Sequence, residues 1–175
     1  MGIRYENLDS VTRGYMLEEI QLGGHYESPR LTQEGLSAWP ELMLQAAQGH
    51  DDDWLAQQLL SKGYLRSEES YTRDGVTRSR RINQPHAAQQ LGEGEFNRYY
   101  IRGLCRRAES EGKNKLIIYR GKEVNNPRPE SEEKIGSAVS TEMLLSTLRK
   151  NDFVTIEDAI GIPGGPNSGL TCRLP

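Results

Sequence analysis

The chain is poor in the residues that usually announce a function. Only two of its 175 residues are cysteine, Cys105 and Cys172, and they lie far apart. That excludes a disulfide framework and makes free thiols in a reducing compartment the expectation. There are three histidines, His25, His50 and His86, and none has a cysteine or second histidine at ligand spacing, so no metal site is expected. No apolar run approaches the ~20 residues that span a bilayer, and the first residues lack the apolar stretch of a secretory signal. No membrane partner is therefore expected, and synthesis in the cytoplasm is. Neither GxSxG, a Walker loop nor HExxH occurs. Gly161-Ile162-Pro163-Gly164-Gly165 lacks the Lys-Ser/Thr and the following helix of a phosphate loop and reads as a turn. The expectation is a protein without a cofactor and without an enzymatic site.

Cationic excess is missing too. The formal net charge is −3 and the isoelectric point about 5.7, which argues against non-specific nucleic-acid binding by the whole chain. A local basic patch is still allowed. Hydrophobic residues make up 35% of the sequence and the mean hydropathy is −0.73. Such a chain should have a modest core and either long loops or a large partner interface. Its length suits one domain or two small ones.

What is present centres on Glu93–Val124. Phe96, Tyr99, Tyr100, Leu104 and Ala108 fall on one face of a helix over Glu95–Glu111. Gly103 shares that face and predicts a close approach, because an interior helical glycine costs roughly 1 kcal/mol relative to alanine. Gly112 is placed as a C-terminal cap. Leu116–Tyr119 reads as a buried strand. Arg98, Arg102 and Arg106 recur every four residues and line one helix face. They read either as a phosphate- or partner-binding stripe, or as a solvated face paired with Glu95 and Glu109.

The remaining chain divides by period. Asp9 or Ser10 opens a helix to about Leu22, with Met16, Leu17 and Ile20 inward and Gly23-Gly24 as its stop. Thr32 caps a short helix through Trp39, and Pro40 starts another that ends at Gly49. Asp51-Asp52-Asp53 opens a third, with Trp54, Leu55, Leu59 and Leu60 as its face and Gly63 as its cap. The acidic triplet reads as capping in preference to metal binding. Tyr71–Arg73 and Val76–Arg78 flank Asp74-Gly75, which predicts a hairpin with a type I′ turn. Arg73, Arg78, Arg80 and Arg81 make it the most basic segment, either in contact with nucleic-acid phosphates or simply solvated and edge-protecting. Asn83 caps a helix from Pro85 that Gly92 should break. Asn125–Gly136 should be a surface loop, Thr141–Lys150 a helix with Met143, Leu144 and Leu148 inward, and Phe153–Ile156 a strand. Gly161–Gly169 reads as a loop and Leu170–Leu174 as a closing strand.

The expected fold is α+β: a helical N-terminal half, a β-hairpin, and a C-terminal half with a small sheet packed on a central helix. Residues 1–66 and 67–175 would form its two regions, with one continuous domain as the alternative. The helix at Pro85, a turn at Gly92 and the helix after Glu95 also resemble a helix-turn-helix at 85–110. The hairpin would be its wing, and Asn97, Arg98 and Arg102 its base-reading side chains.

The second half also resembles the C-terminal region of phage minor head proteins of the Mu F (head-morphogenesis) type. Glu95, Asn97 and Arg98 match the opening of that family's helix, and Leu116–Tyr119 its strand. Arg128–Gly136 stands where the family has a Cys/Gly loop. Gly165-Pro166-Asn167 and Thr171-Cys172-Arg173-Leu174-Pro175 match its tail. Apart from Cys172 the family's clustered cysteines and histidines are missing, so a metal site does not carry over. The Phe96-Asn97-Arg98-Tyr99-Tyr100 helix is also similar to that of short bacterial and prophage proteins. The resemblance implies a structural component of a tailed-phage virion: a minor capsid, cement or head-completion protein. It would be assembled in the host cytoplasm into an oligomer with capsid, portal or neck proteins. DNA binding through the helix-turn-helix is the alternative, with nucleic acid as partner, and a small enzyme or accessory subunit a third class. The candidate contact residues are Arg73, Arg78, Arg80, Arg98, Arg102 and Arg106.

Overall fold

The computed structural model describes residues 1–150, 152–162 and 168–175. The order is α1 (Ser10–Gln21), α2 (Gln33–Gly49), α3 (Asp52–Ser61), β1 (Glu68–Arg73), β2 (Val76–Arg81), α4 (Gln84–Ser110), β3 (Lys115–Arg120), α5 (Pro129–Lys134), β4 (Ala138–Ser140), α6 (Thr141–Leu148), α7 (Ile156–Ala159) and β5 (Leu170–Arg173). The fold is α+β, as the sequence predicts. One hydrophobic core runs from Met16 through Cys172 and crosses the 66/67 boundary.

The organising element is α4. It is 27 residues long, and Phe96, Tyr99, Tyr100, Leu104 and Ala108 are fully buried on it. The turn expected at Gly92 is absent: the helix runs through it unbroken. The helix-turn-helix expected at 85–110 is therefore not formed. Gly92 is there for contact. A Cβ on it would lie 2.9 Å from the Asp52 carbonyl oxygen of α3, and Asn83 caps the helix start by accepting from His86 N–H. Gly103 plays the same part against α1, where a Cβ would meet Met16 Cγ at 2.7 Å. Glycine here stops nothing; it lets two helices approach more closely than any side chain would allow.

Helix α1 starts at Asp9, whose carboxylate accepts from Val11 and Thr12 N–H. In α2 the sequence expectation of two helices fails: Pro40 lies inside one helix capped by Thr32. The buried stripe Trp39, Leu42, Met43, Ala46 and Ala47 continues across the proline, so packing outweighs the one hydrogen bond the ring removes. In α3 Asp51 is the N-cap, accepting from Trp54 N–H. Asp53 Oδ2 instead accepts from Gly2 N–H and Asp52 Oδ2 from Ile3 N–H, at 2.7 and 3.0 Å. Leu55 and Leu59 are buried and Leu60 is exposed.

Strand β3 is the middle of an antiparallel sheet of order β4-β3-β5, laid against α4. Ile117 pairs Ala138 on one side and Arg173 on the other. Helix α5 forms within Asn125–Gly136, where the sequence predicts a surface loop, and β4 lies just before the helix expected from Thr141. Phe153–Ile156 is not a strand: Phe153 is exposed, and Ile156 opens α7 with Thr155 and Asp158 as a capping box. Met143 is also exposed, whereas Leu144 and Leu148 are buried. The Gly165-Pro166-Asn167 match to the family tail falls outside the described residues.

Candidate functional site

The six candidate arginines separate into two groups. Arg98 and Arg102 are buried at 1% and 2% exposure, so they form neither a partner stripe nor a solvated face. Arg98 donates to the carbonyl oxygens of Leu148 at 2.7 Å, Asp152 at 3.0 Å and Lys150. It thereby places a cation at the C-terminal end of α6, where orphan carbonyls and the helix dipole favour one. Its carboxylate neighbour is Glu95 Oε1 at 3.4 Å.

Arg102 serves Glu19 on α1. Its Nε lies 2.9 Å from Glu19 Oε2, Arg106 Nη1 is 3.1 Å from Oε1, and Arg149 adds bonds of 3.0 and 2.6 Å. Arg106 also reaches Glu18, not the Glu109 expected from sequence. Burial alone would raise the Glu19 carboxyl; hydrogen bonds from Arg149 and Arg102 override it and hold it at about 2. Three cations around one fully buried carboxylate make a clasp between α1, α4 and the end of α6. Removing one member of such a cluster leaves an uncompensated buried charge.

Arg73, Arg78 and Arg80 form the second group, on the hairpin. The register pairs Glu69 with Arg80, Tyr71 with Arg78 and Arg73 with Val76. Strand alternation puts these six on one face. The turn is type I′ in character, with Asp74 at φ 54° and Gly75 at φ 73°. Glu69 ties down the base, taking Arg30 Nε at 2.9 Å and Arg80 Nε at 2.8 Å. The Arg80 guanidinium lies 5.2 Å from the Tyr71 ring centre. Arg78 has no ion-pair partner among the described residues. Every residue of β2 is exposed, and among the described residues the two strands pair only with each other.

Sequence reasoning missed a cleft of about 550 Å³ beside the hairpin base. His25, Tyr26 and Glu27 come from the segment after α1, Leu36 and Trp39 from α2, and Asp152 from the segment after α6. His25 Nδ1 is 3.0 Å from the Tyr99 hydroxyl. Burial, then Arg102 and Arg98, push the His25 pKa down, so the ring is neutral near pH 7. Trp39 is 1% exposed, and its buried indole Nε1 has no hydrogen-bond acceptor among the described residues. Beneath the Tyr26 side, burial lifts the Glu95 carboxyl to about 7 against the pull of Arg98, and its Oε2 has no partner among the described residues. A smaller hollow of about 340 Å³ lies at the hairpin root between Tyr26, Arg30, Glu69 and Phe153.

The remaining candidates are quiet. Cys105 and Cys172 are buried and unbridged. Burial raises both thiols, Cys172 to about 12, so the arginines next to Cys105 do not make it a nucleophile. No group of three or more His, Cys, Asp and Glu suited to a metal occurs among the described residues. No described helix is long and apolar enough to cross a membrane. No protein-family model, curated protein or solved structure matches the chain.

Proposed function

We propose that the protein is a structural component of a tailed-phage head or neck assembly, acting through protein–protein contacts that its hairpin makes. The observation that carries this reading is the hairpin itself. It is a two-stranded sheet with a fully exposed second strand and three arginines on one face. A lone two-stranded ribbon is marginally stable in water. Open strand edges with an exposed polar face suit a segment whose burial is completed by a neighbour. The resemblance of the second half to phage minor head proteins points the same way and supplies the kind of assembly.

DNA binding would have to use the hairpin alone, because α4 offers no turn and its Arg98 and Arg102 are consumed internally. The test is to express the tagged full chain in cells producing the cognate particles and to fractionate them. The chain should co-sediment with particles, and the Arg73→Glu/Arg78→Glu variant should remain in the soluble fraction. Particles that form normally without the chain, with all of it soluble, contradict the reading. A salt-sensitive mobility shift on duplex DNA that the same variant loses favours the alternative.

A further inference from the structure

We infer that the hairpin docks on α5 of a second copy of this chain, with Arg73 and Arg78 of one copy against Glu130 and Glu133 of the other. The inference rests on reading the hairpin as a protein contact and names what that contact takes; it does not need the phage assembly.

One strip of surface beside the hairpin is open to a partner. Arg73, Tyr71 and Arg78 share a ribbon face with Glu69. Glu69 is also a wall of the hollow at the hairpin root, with Tyr26, Leu91 and Phe153, so the apolar hollow and the cations are continuous. Along the strip Val76 is 51% and Phe153 44% exposed. Glu69 neutralises Arg30 and Arg80 at the root. Further out, Arg78 has no ion-pair partner among the described residues. Arg73 has only Asp74, 3.7 Å away with both side chains in water, and a pair of that kind contributes little.

Helix α5 carries the complement. Ser131 is buried and Glu132 pairs with Arg120, which fixes the inward side of the helix. Glu130 and Glu133 fall on the opposite side. Both are exposed, and neither has an ion-pair partner among the described residues. Ile135, the residue that ends the helix, is 40% exposed. Carboxylates three apart on a helix sit about 5–6 Å from each other. Arg73 and Arg78, diagonal across the ribbon, sit about 7–8 Å apart, a difference their long stems absorb. With Glu133 against Arg78 and Glu130 against Arg73, Ile135 falls toward the hollow. The charge pairs then set the register while Ile135, Val76 and Phe153 leave water.

Other occupants fit less well. A second hairpin would set Arg73 and Arg78 against themselves. Nucleic acid would match the arginines but leave Val76 and the hollow uncovered, and a chain of net charge −3 repels a polyanion.

The test is sedimentation velocity on the purified full chain alone, over a concentration series. At low salt the wild type should self-associate, and added salt should weaken it. Arg73→Glu/Arg78→Glu and Glu130→Arg/Glu133→Arg should each weaken self-association at least about ten-fold, a loss of roughly 1.4 kcal/mol. Circular dichroism should be unchanged in both, because all four side chains are exposed. An equimolar mixture of the two variants should associate again, since each offers the charge the other lacks. A wild type that stays monomeric, variants that associate as the wild type does, or a mixture that stays monomeric overturns the inference. So does a monomeric chain whose hairpin arginines shift duplex DNA. A monomer that co-sediments with particles keeps the assembly reading and ends this one; a self-associating chain absent from particles does the reverse.

Discussion

Helix α4 and the hairpin carry four arginines each, and the two put them to opposite uses. On α4 the guanidinium groups of Arg98 and Arg102 are sealed inside, Arg98 donating to backbone carbonyls and Glu95 and Arg102 to Glu19. On the hairpin Arg73 and Arg78 stand in water, with Arg73 only 3.7 Å from the exposed Asp74. Sequence spacing does not separate these cases. Arg98, Arg102 and Arg106 would read identically on a solvated helix, because their partner lies 83 residues away in sequence for the Arg102–Glu19 pair. Buried arginines of this kind fix how three elements join; exposed ones are available for a partner.

The comparison can be broken most forcefully at Glu19. Glu19→Ala leaves Arg102, almost wholly buried, without its carboxylate. It should cost about 3–5 kcal/mol, seen as a lower midpoint in denaturant unfolding. Next in size is Gly103→Ala. A Cβ there meets Met16 backbone N at 2.8 Å as well as its side chain, so a loss of about 1–3 kcal/mol is expected. The matched control is Gly14→Ala in α1, where nothing lies within 4 Å. There the helix should gain about 0.5–1 kcal/mol.

The pH dependence sharpens the contrast between two buried carboxylates. Glu19 is held at about 2, below its ordinary 4.5. Its contribution is present above pH 4.5 and fades as the pH falls toward 2. Asp52 is lifted by burial from 3.8 to about 7. The native protein keeps a proton that the unfolded chain releases, so this contribution is complete below pH 3.8 and lost as the pH rises to 7. Urea unfolding across pH should therefore show stability falling on both sides, and Asp52→Asn should lessen the high-pH decline without touching the low-pH one, the remainder belonging to Glu95, which burial also lifts to about 7. The smallest effect on stability belongs to the hairpin. Arg73→Glu/Arg78→Glu should leave the unfolding midpoint unchanged, because neither side chain holds a buried contact.

What could be read from the sequence was local. The type I′ turn follows from Asp74-Gly75 alone, and the apolar face of α4 follows from its period. The caps at Asp9, Thr32, Asp51 and Asn83 are each set by one side chain a few residues from its target. Tertiary contacts override local propensity elsewhere. Gly92 and Pro40 are breakers by propensity, yet both lie inside helices because a neighbouring element requires the space or the stripe. Phe153 has the propensity of a strand residue and instead packs on Tyr26. The cleft was invisible because its walls come from three segments, and its carboxylates, Glu27 and Asp152, are 125 positions apart.

Amide hydrogen exchange along the whole chain tests the central claim, that one unbroken, internally neutralised helix carries the fold while the hairpin projects from it. The amides of 88–105, including those at Gly92 and Gly94, should exchange only by global unfolding, and those of 68–81 orders of magnitude faster. Fast exchange confined to 91–95, as a turn between two helices would give, or equal protection in helix and hairpin, would contradict it.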